Sequence, residues 1–349
     1  MQSVSEVMSH GAIHSVFQPI VDLDTGRVVA YEALARGPAG PLESPDRLFA
    51  AARLRTVERV RSYGWAVALD DVGADPMSLA FMPLLRPDVV KLDLQLVQQR
   101  PDSSVAEIMN AVNAYAERSG AIVLAEGIED QRHLRLARGL GARLGQGWLL
   151  GRPAAGAATQ YETGELPLPS AAAASALGGS PFACLPDTAV LRRAPKALLI
   201  ELSKQLEREA MRQGETCVVT STFQEARHFT ASTVRRYREL VDRTAFVCVL
   251  GAGLPVEPLP GLRGASLLPA DPICSEWDVA VIGPHFAAAL LARDLGDTGP
   301  DLERTFEYAL TYRRDAVAAA ANALLSRVVP RLALPTQRAE IAVPTAALR

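Results

Sequence analysis

The sequence predicts two α/β domains in tandem. Three observations carry that expectation. The chain has 349 residues, and domains run to roughly 100–200 residues each. Short apolar runs alternate with helical periodicity through both halves, and one stretch between the halves has no apolar period. Composition fits a globular protein: 49% hydrophobic, 21% charged, net charge −3 and pI near 6.0. Such values do not suit a protein whose grip on a nucleic-acid polymer rests on basic excess. No apolar run reaches the ~18–20 residues of a membrane span. The N-terminus, MQSVSEVMSHGAIHSVFQPIVD, lacks the basic-then-apolar order of a signal peptide. A cytoplasmic location is expected, with neither membrane nor nucleic-acid polymer as partner.

In the N-terminal block, strands are expected at 16–23, 28–36, 65–71, 88–94, 121–129 and 143–151, each a short apolar run. Asp24-Thr25-Gly26 joins the first two as a hairpin. Helices are expected at 46–62, 75–86, 102–119 and 130–140, where apolar residues recur every three or four positions. That alternation predicts βαβ units and a mainly parallel sheet. From 154 to about 187, Gly, Pro and Ala dominate, so this segment reads as a linker.

The C-terminal block opens with a helix at 195–213 ended by Gly214. A strand at 216–222, a helix at 230–243 and a strand at 245–251 follow. Beyond a Pro/Gly-rich stretch come a strand at 276–283, a helix at 285–294, a strand at 306–312 and a closing helix at 313–329. The Arg-rich run TVRRYREL reads as the wet face of helix 230–243. The Pro-interrupted tail after Pro330 is expected to be loosely ordered. Cys184, Cys217, Cys248 and Cys274 form no CxxC pair and read as small packed hydrophobes, not as a zinc or disulfide framework.

The chemistry lies where the acids fall. Glu32, Asp70, Asp71, Asp93, Glu126 and Glu129 all sit at or just past the end of an apolar run, and Lys91 and Gln146 join them. In a parallel α/β barrel those strand ends gather on the face that carries the site. Convergent carboxylates repel unless they hold a cation, and Mg²⁺ or Mn²⁺ suits all-oxygen ligands. Two such ions would clamp the attacking and leaving oxygens of a phosphodiester.

The segments FQPIVDLDTGRVVAYEALARG, ALDDVGA, VVKLDL, VLAEGIED and GQGWLLGRP, in that order, resemble the EAL family of cyclic di-GMP phosphodiesterases over residues 12–153. The resemblance implies a TIM-barrel-like fold with an antiparallel first strand, and hydrolysis of cyclic di-GMP to linear pGpG with Mg²⁺ or Mn²⁺. It implies that Glu32, Asp70, Asp71 and Glu126 bind metal, with Asp71 serving the second ion. By the same resemblance Lys91 orients the attacking water, Glu126 lies near metals and water, and Glu129 holds the lid loop. Gln18, Leu34, Arg36 and Gln146 would line the substrate pocket, Arg36 being suited to a phosphate oxygen.

One departure stands out. The family carries two further metal-binding residues, an Asn and a Glu, on strands that follow its first helix. Here no Asn lies between Glu32 and Asp70, and the only glutamates there are Glu43, in a Pro-rich loop, and Glu58, on an expected helix. About two βα units are missing. A closed barrel takes ~250 residues, with about 200 as a lower bound, against about 155 in this block. The expected fold is therefore a TIM-barrel-like EAL domain lacking about two βα units, with open edges beside Tyr31–Ala35 and Ala66–Asp70. Those edges would pair with each other or with a second chain as a homodimer. Weak or absent phosphodiesterase activity is expected. The alternative is an active Mg²⁺/Mn²⁺ enzyme completed by dimerisation.

Residues 183–328 resemble the DICT family of bacterial sensory domains in three features: the helix–strand opening, Phe223 before the Arg-rich helix, and Glu276-Trp277 leading to Pro284–Ala288. This implies an α/β sensory domain with a ligand the residues do not name. The expected division is 1–153 EAL-like, 154–187 linker, 188–329 DICT-like and 330–349 flexible tail, together a cyclic di-GMP signalling protein.

Overall fold

The computed structural model of the chain describes residues 14–36, 61–156, 161–166, 168 and 179–328. The N-terminal sheet contains β1 (His14–Asp22), β2 (Val28–Arg36), β3 (Ala68–Val72), β4 (Val89–Leu92), β5 (Ile122–Ala125) and β6 (Leu144–Gly145). Between them lie α1 (Pro76–Leu85), α2 (Leu94–Gln98), α3 (Ser103–Ser119) and α4 (Gln131–Gly139). The first five expected strands and the helices expected at 75–86, 102–119 and 130–140 appear within about four residues of their predicted bounds, the strand expected at 143–151 shortens to Leu144–Gly145, and α2 is an addition. The expected helix at 46–62 and the expected tail lie almost wholly outside the described residues.

Aspartates start the helices for a simple reason: a carboxylate accepts the free N–H groups of a first turn. Asp75 accepts from Met77 N at 2.8 Å, Asp102 from Ser104 N at 2.9 Å and Asp130 from His133 N at 2.8 Å. Gly120, at φ +74°, ends α3 in a left-handed cap.

The strand order is β2-β1-β6-β5-β4-β3. Strands β3 to β6 run parallel, and β1 is antiparallel to both β2 and β6. The sheet is therefore an open, curled half-barrel whose outer strands are β2 and β3, the two edges the sequence pointed to. Its convex face packs on the helices through Leu79, Met82, Val90, Leu92, Val112, Tyr115 and Val123. The concave face holds a much smaller buried cluster, Ile122, Leu124 and Leu144, with Ile20, Val29, Val89 and Leu166 against it. The segment after β6 turns back along the hairpin: Phe17 and Ala154 exchange backbone hydrogen bonds, and Val28 N donates to Glu162 O.

The C-terminal sheet contains β7 (Arg192–Pro195), β8 (Val218–Glu225), β9 (Phe246–Ala252), β10 (Arg263–Ser266), β11 (Glu276–Ile282), β12 (Ala287–Asp294) and β13 (Thr305–Thr311). Its order is β10-β9-β8-β11-β12-β13-β7. Helices α5 (Lys196–Gln213) and α6 (Ala231–Arg243) cover one face through Leu199, Leu206, Tyr237 and Leu240. Helix α7 (Arg314–Leu325) covers the other, where α1 of the first domain joins it through Ala80 and Leu84. One expectation is corrected here. Residues 287–294 form strand β12, antiparallel to β11 and β13, and not a helix. The run is Ala- and Leu-rich, hence helix-like in propensity. It is also a central strand buried on both faces, where alternation disappears and pairing decides.

Candidate functional site

Side chains alternate across a strand, so residues two apart share a face. Two positions beyond the concave apolar layer, each strand turns polar: Val89 is followed by Lys91, Leu124 by Glu126, Leu144 by Gln146. Ala68 is likewise followed by Asp70 and Ala30 by Glu32, while Gln18 precedes Ile20 on the antiparallel β1. One side chain from each of six strands thus meets above the apolar layer.

Lys91 is the centre. Its Nζ lies 2.6 Å from Glu126 Oε1, 2.8 Å from Asp70 Oδ1 and 3.0 Å from Glu32 Oε1, with its side chain only 9% exposed. Burial alone would lower its proton affinity; the Glu126 and Asp70 carboxylates more than offset that and hold it above the ordinary lysine value. Burial pushes Glu126 above the usual carboxylate range, Lys91 pulls it back, and Asp70 and Glu32 add to the push. Gln146 Nε2 donates to Glu32 Oε2 at 2.6 Å and to Gln18 Oε1 at 2.9 Å, and Gln18 Nε2 donates to Gly151 O at 3.2 Å. Glu32 and Lys91 stand on strands four positions apart in the sheet, about 19 Å along a flat one. Their contact exists because the sheet curls.

Asp70 and Asp71 are consecutive, so a regular strand would send them to opposite faces. The β3–β4 register shifts between Leu69 and Val72, and Asp71 takes a left-handed φ of +52°. A strand irregularity beside a site re-aims side chains in this way. Carboxylate oxygens of Asp70, Asp71 and Glu126 consequently lie within 4.8 Å of one another. A second constraint fixes the loops after β5 and β6. Ile128 N donates to Gln146 O and Leu149 N to Ile128 O, both at 3.0 Å. Gly147, at φ +152°, passes so close that a Cβ there would meet Ile128 N at 2.3 Å.

The remaining expected residues fall elsewhere. Asp93 caps α2, accepting from Gln95 N at 2.8 Å. Glu129 is exposed, and its backbone N–H donates to His133 Nδ1 at 3.3 Å. His133, buried on the first turn of α4, was missed from sequence; its position four residues after Glu129 was the available signal. The side chains of Leu34 and Arg36, and all of Glu43 and Glu58, lie outside the described residues.

The donor set fits one hard divalent cation. Three carboxylates, Glu32, Asp70 and Glu126, share a single ammonium. Oxygens around Mg²⁺ stand about 3 Å apart when adjacent and about 4 Å when opposite, and those of Asp70, Asp71 and Glu126 lie within 4.8 Å of one another. For a second ion the described residues offer only Glu32, whose two oxygens are taken by Lys91 and Gln146. Gln146 Oε1 is buried without a hydrogen-bond partner among the described residues, an acceptor left for water or a ligand N–H.

Residues 50–153 match the EAL domain model, and residues 186–295 match the model described as the sensory domain in diguanylate cyclases and two-component systems, DICT. The first match begins after Glu32 and Gln18. Over 94 residues the chain is 34% identical to the uncharacterized EAL-domain protein YkuI of Bacillus subtilis, covering 27% of this chain and 23% of that one. Over 98 residues it is 35% identical to the cyclic di-GMP phosphodiesterase NbdA of Pseudomonas aeruginosa, covering 28% and 12%. The chain thus spans under a quarter of the length of these curated relatives. Among solved structures, the EAL domain protein of Listeria monocytogenes aligns at 17% identity and TM-score 0.36, over 44% of this chain and 95% of that one. The manganese/cyclic di-GMP complex of Klebsiella pneumoniae BlrP1 aligns at 22% identity and TM-score 0.33, over 41% and 56%. No helix among the described residues is long and apolar enough to cross a membrane. The chain joins a shortened EAL domain to a DICT sensory domain that follows it.

Proposed function

We propose that this chain is a cyclic di-GMP signalling protein whose EAL domain binds the nucleotide with one divalent cation and hydrolyses it slowly or not at all. In this reading residues 1–153 form the nucleotide module, 154–187 the connection, 188–329 the sensory domain and 330–349 a tail, in the cytoplasm. The observation that carries it is the triple ion pair of Lys91. One lysine engages an oxygen on each of three acids that would otherwise face metal, and both oxygens of Glu32 already accept a hydrogen bond, from Lys91 and from Gln146.

Asp70, Asp71 and Glu126 would hold Mg²⁺ or Mn²⁺, which supplies charge to polarise a phosphodiester oxygen. Gln18 and Gln146 present amide groups at the floor of the site, and Arg36 stands on β2, whose next strand carries Gln18. Lys91 holds its proton firmly and does not act as a base; its three N–H donors face Glu32, Asp70 and Glu126, so it would reach a water only once a cation draws one of those acids away. Glu129 would steady the loop after β5.

One observation favours a second reading. Among the described residues no strand pairs with the outer side of β3, and only Val28 of β2 is bridged, by residues 162–164; these two edge strands carry Asp70 and Glu32. A homodimer pairing these edges would bring ligands from a second chain and restore hydrolysis. Purified protein incubated with cyclic di-GMP and Mg²⁺ or Mn²⁺ separates the two. Saturable binding with little or no pGpG is expected. Turnover that rises with protein concentration and is abolished by Glu32→Ala and by Glu126→Ala would establish the dimeric enzyme instead.

A further inference from the structure

The sensory domain contains a cavity of about 280 Å³ between α5, α6 and the faces of β8 and β11. Small-molecule sites run from roughly 300 to 1,000 Å³, so this one admits one or two rings and excludes a dinucleotide. Its walls are aromatic. Phe223 and Tyr237 meet edge to face at 5.4 Å, and Trp277 stands across from them with its Nε1 donating to Ser203 Oγ at 2.9 Å. Flat rings pack on such walls with offset or edge-on geometry.

The polar groups of the lining are donor-rich. Arg236 donates its Nε to the buried Glu207 at 2.7 Å, and no other hydrogen bond of its guanidinium forms among the described residues. Both amino groups therefore remain for a planar acceptor, the geometry that suits a carboxylate. Ser203 is buried and accepts from Trp277, which leaves its own O–H without an acceptor among the described residues. Lys196, Lys204 and Arg236 each hold one carboxylate, Asp301, Glu201 and Glu207 respectively. Burial, together with Lys196 and Arg227, holds the imidazole of His228 below its ordinary value, so it adds no charge at neutral pH. The lining is therefore close to charge balance, and what favours an anion is the pair of unused Arg236 amino groups.

We propose that this cavity is the ligand site of the sensory domain and takes a small aromatic carboxylate, its ring between Trp277 and Phe223 and its carboxylate on Arg236. The proposal gives a ligand class to the sensory domain of the function proposed above. It stands whether or not the first domain binds cyclic di-GMP.

Titration calorimetry of the full chain with three isosteric probes tests it: 1-naphthoate, neutral 1-naphthamide and cationic 1-naphthylmethylammonium. Naphthoate should bind one to one and at least tenfold more tightly than either of the others. Arg236→Gln should weaken naphthoate tenfold or more while leaving naphthamide within twofold, and Trp277→Leu should weaken both. Because Arg236→Gln leaves Glu207 unpaired, Lys204→Glu serves as a second variant at a partly exposed position; it should weaken naphthoate at least threefold. Absence of saturable binding by all three probes overturns the proposal. So does equal affinity for the ammonium and the carboxylate, or naphthoate binding that Arg236→Gln and Lys204→Glu leave unchanged. Glu32→Ala should not change the naphthoate titration, which separates this result from the nucleotide experiment.

Discussion

The two sheets of this protein bury their faces in different ways. In the sensory domain both faces of the seven-stranded sheet are packed: Val219, Val249, Val281 and Leu290 lie under α5 and α6, and Val218, Leu250, Ile282 and Leu291 lie under α7 and α1. Among the described residues of the EAL domain only the convex face is filled to that degree, and the concave face has a cluster of three buried apolar residues beneath a polar layer. The contrast shows what survives the loss of βα units from a barrel. Each βα unit packs its own helix on its own strand, so the convex core outlives the deletion. The interior of a barrel needs closure, and the six described strands form an open sheet.

The largest effect should come from removing the cation that holds the concave face together. Lys91→Ala leaves Glu32, Asp70 and Glu126 converging on a partly buried space with no ion-pair partner among the described residues. Breaking a buried ion pair by deleting one partner costs about 3–5 kcal/mol. A loss near 3 kcal/mol is expected for the EAL domain, since Asp70 stays over half exposed. Hydrogen exchange should report lost protection across β4 and β5, with β11 and β12 unchanged. Protection retained in β4 and β5 would mean that the half-barrel is held by its convex core alone. Mg²⁺ should restore part of the lost stability of this variant, because the three acids then have a cation again.

The polar layer was legible in sequence because strand-end acids are local features: Asp70, Lys91, Glu126 and Gln146 each follow an apolar run in the chain itself. What assembles them was not. The curl that brings Glu32 to Lys91 is a property of the whole sheet, and the irregularity at Asp71 depends on pairing with β4. Helix starts were readable from Asp75, Asp102 and Asp130, whose caps are made within three residues. Strand β12 was misread because Ala and Leu favour helix in isolation, and only its neighbours on both sides make it a strand. Arg236 was misread in a similar way. Its run reads as a wet helix face, and Arg235 and Arg238 are indeed exposed, yet Arg236 turns inward to pair with Glu207 on α5.

The next effect concerns the seam between the two sheets. Helix α1 begins just after the paired aspartates and ends on the sensory domain. Phe81 meets Phe246 edge to face at 5.4 Å, Leu84 is buried in the same cluster, and Asn322 Nδ2 donates to Leu84 O at 3.1 Å. Arg118 Nη2 donates to Pro284 O at 2.8 Å. Phe81→Ala removes a partly buried ring and should cost about 2 kcal/mol, below the 3–5 kcal/mol of a fully buried one. Calorimetry should then resolve two unfolding transitions where the parent chain shows one. A single unshifted transition would mean that the domains do not stabilise each other through this helix.

The smallest effect is a change of slope with pH, and it contrasts the two ways this chain buries acids. In the EAL domain carboxylates are compensated by Lys91. In the sensory domain Glu276 and Asp278 lie side by side on one face of β11, and neither oxygen of the fully buried Asp278 has a hydrogen-bond partner among the described residues. Arg327, which faces them from the end of α7, is bound to Asp271 at 2.8 Å, and Thr222 gives its oxygen to Asp278 N–H. Burial first, and Glu276 second, push Asp278 well above the usual aspartate range, and Glu276 is raised too by burial. A proton kept on Asp278 would take the place that Lys91 fills in the other domain. A folded-state value above the unfolded one gives stability that is complete below the unfolded value and is lost as pH rises through the folded one. The sensory domain should therefore lose stability from mildly acidic pH upwards. Asp278→Asn keeps the shape and removes this titration, so its melting temperature should gain on that of the parent chain as pH rises from 5 to 8. A constant difference across that range would show that Asp278 is ionised in the folded protein, with a cation beside it after all.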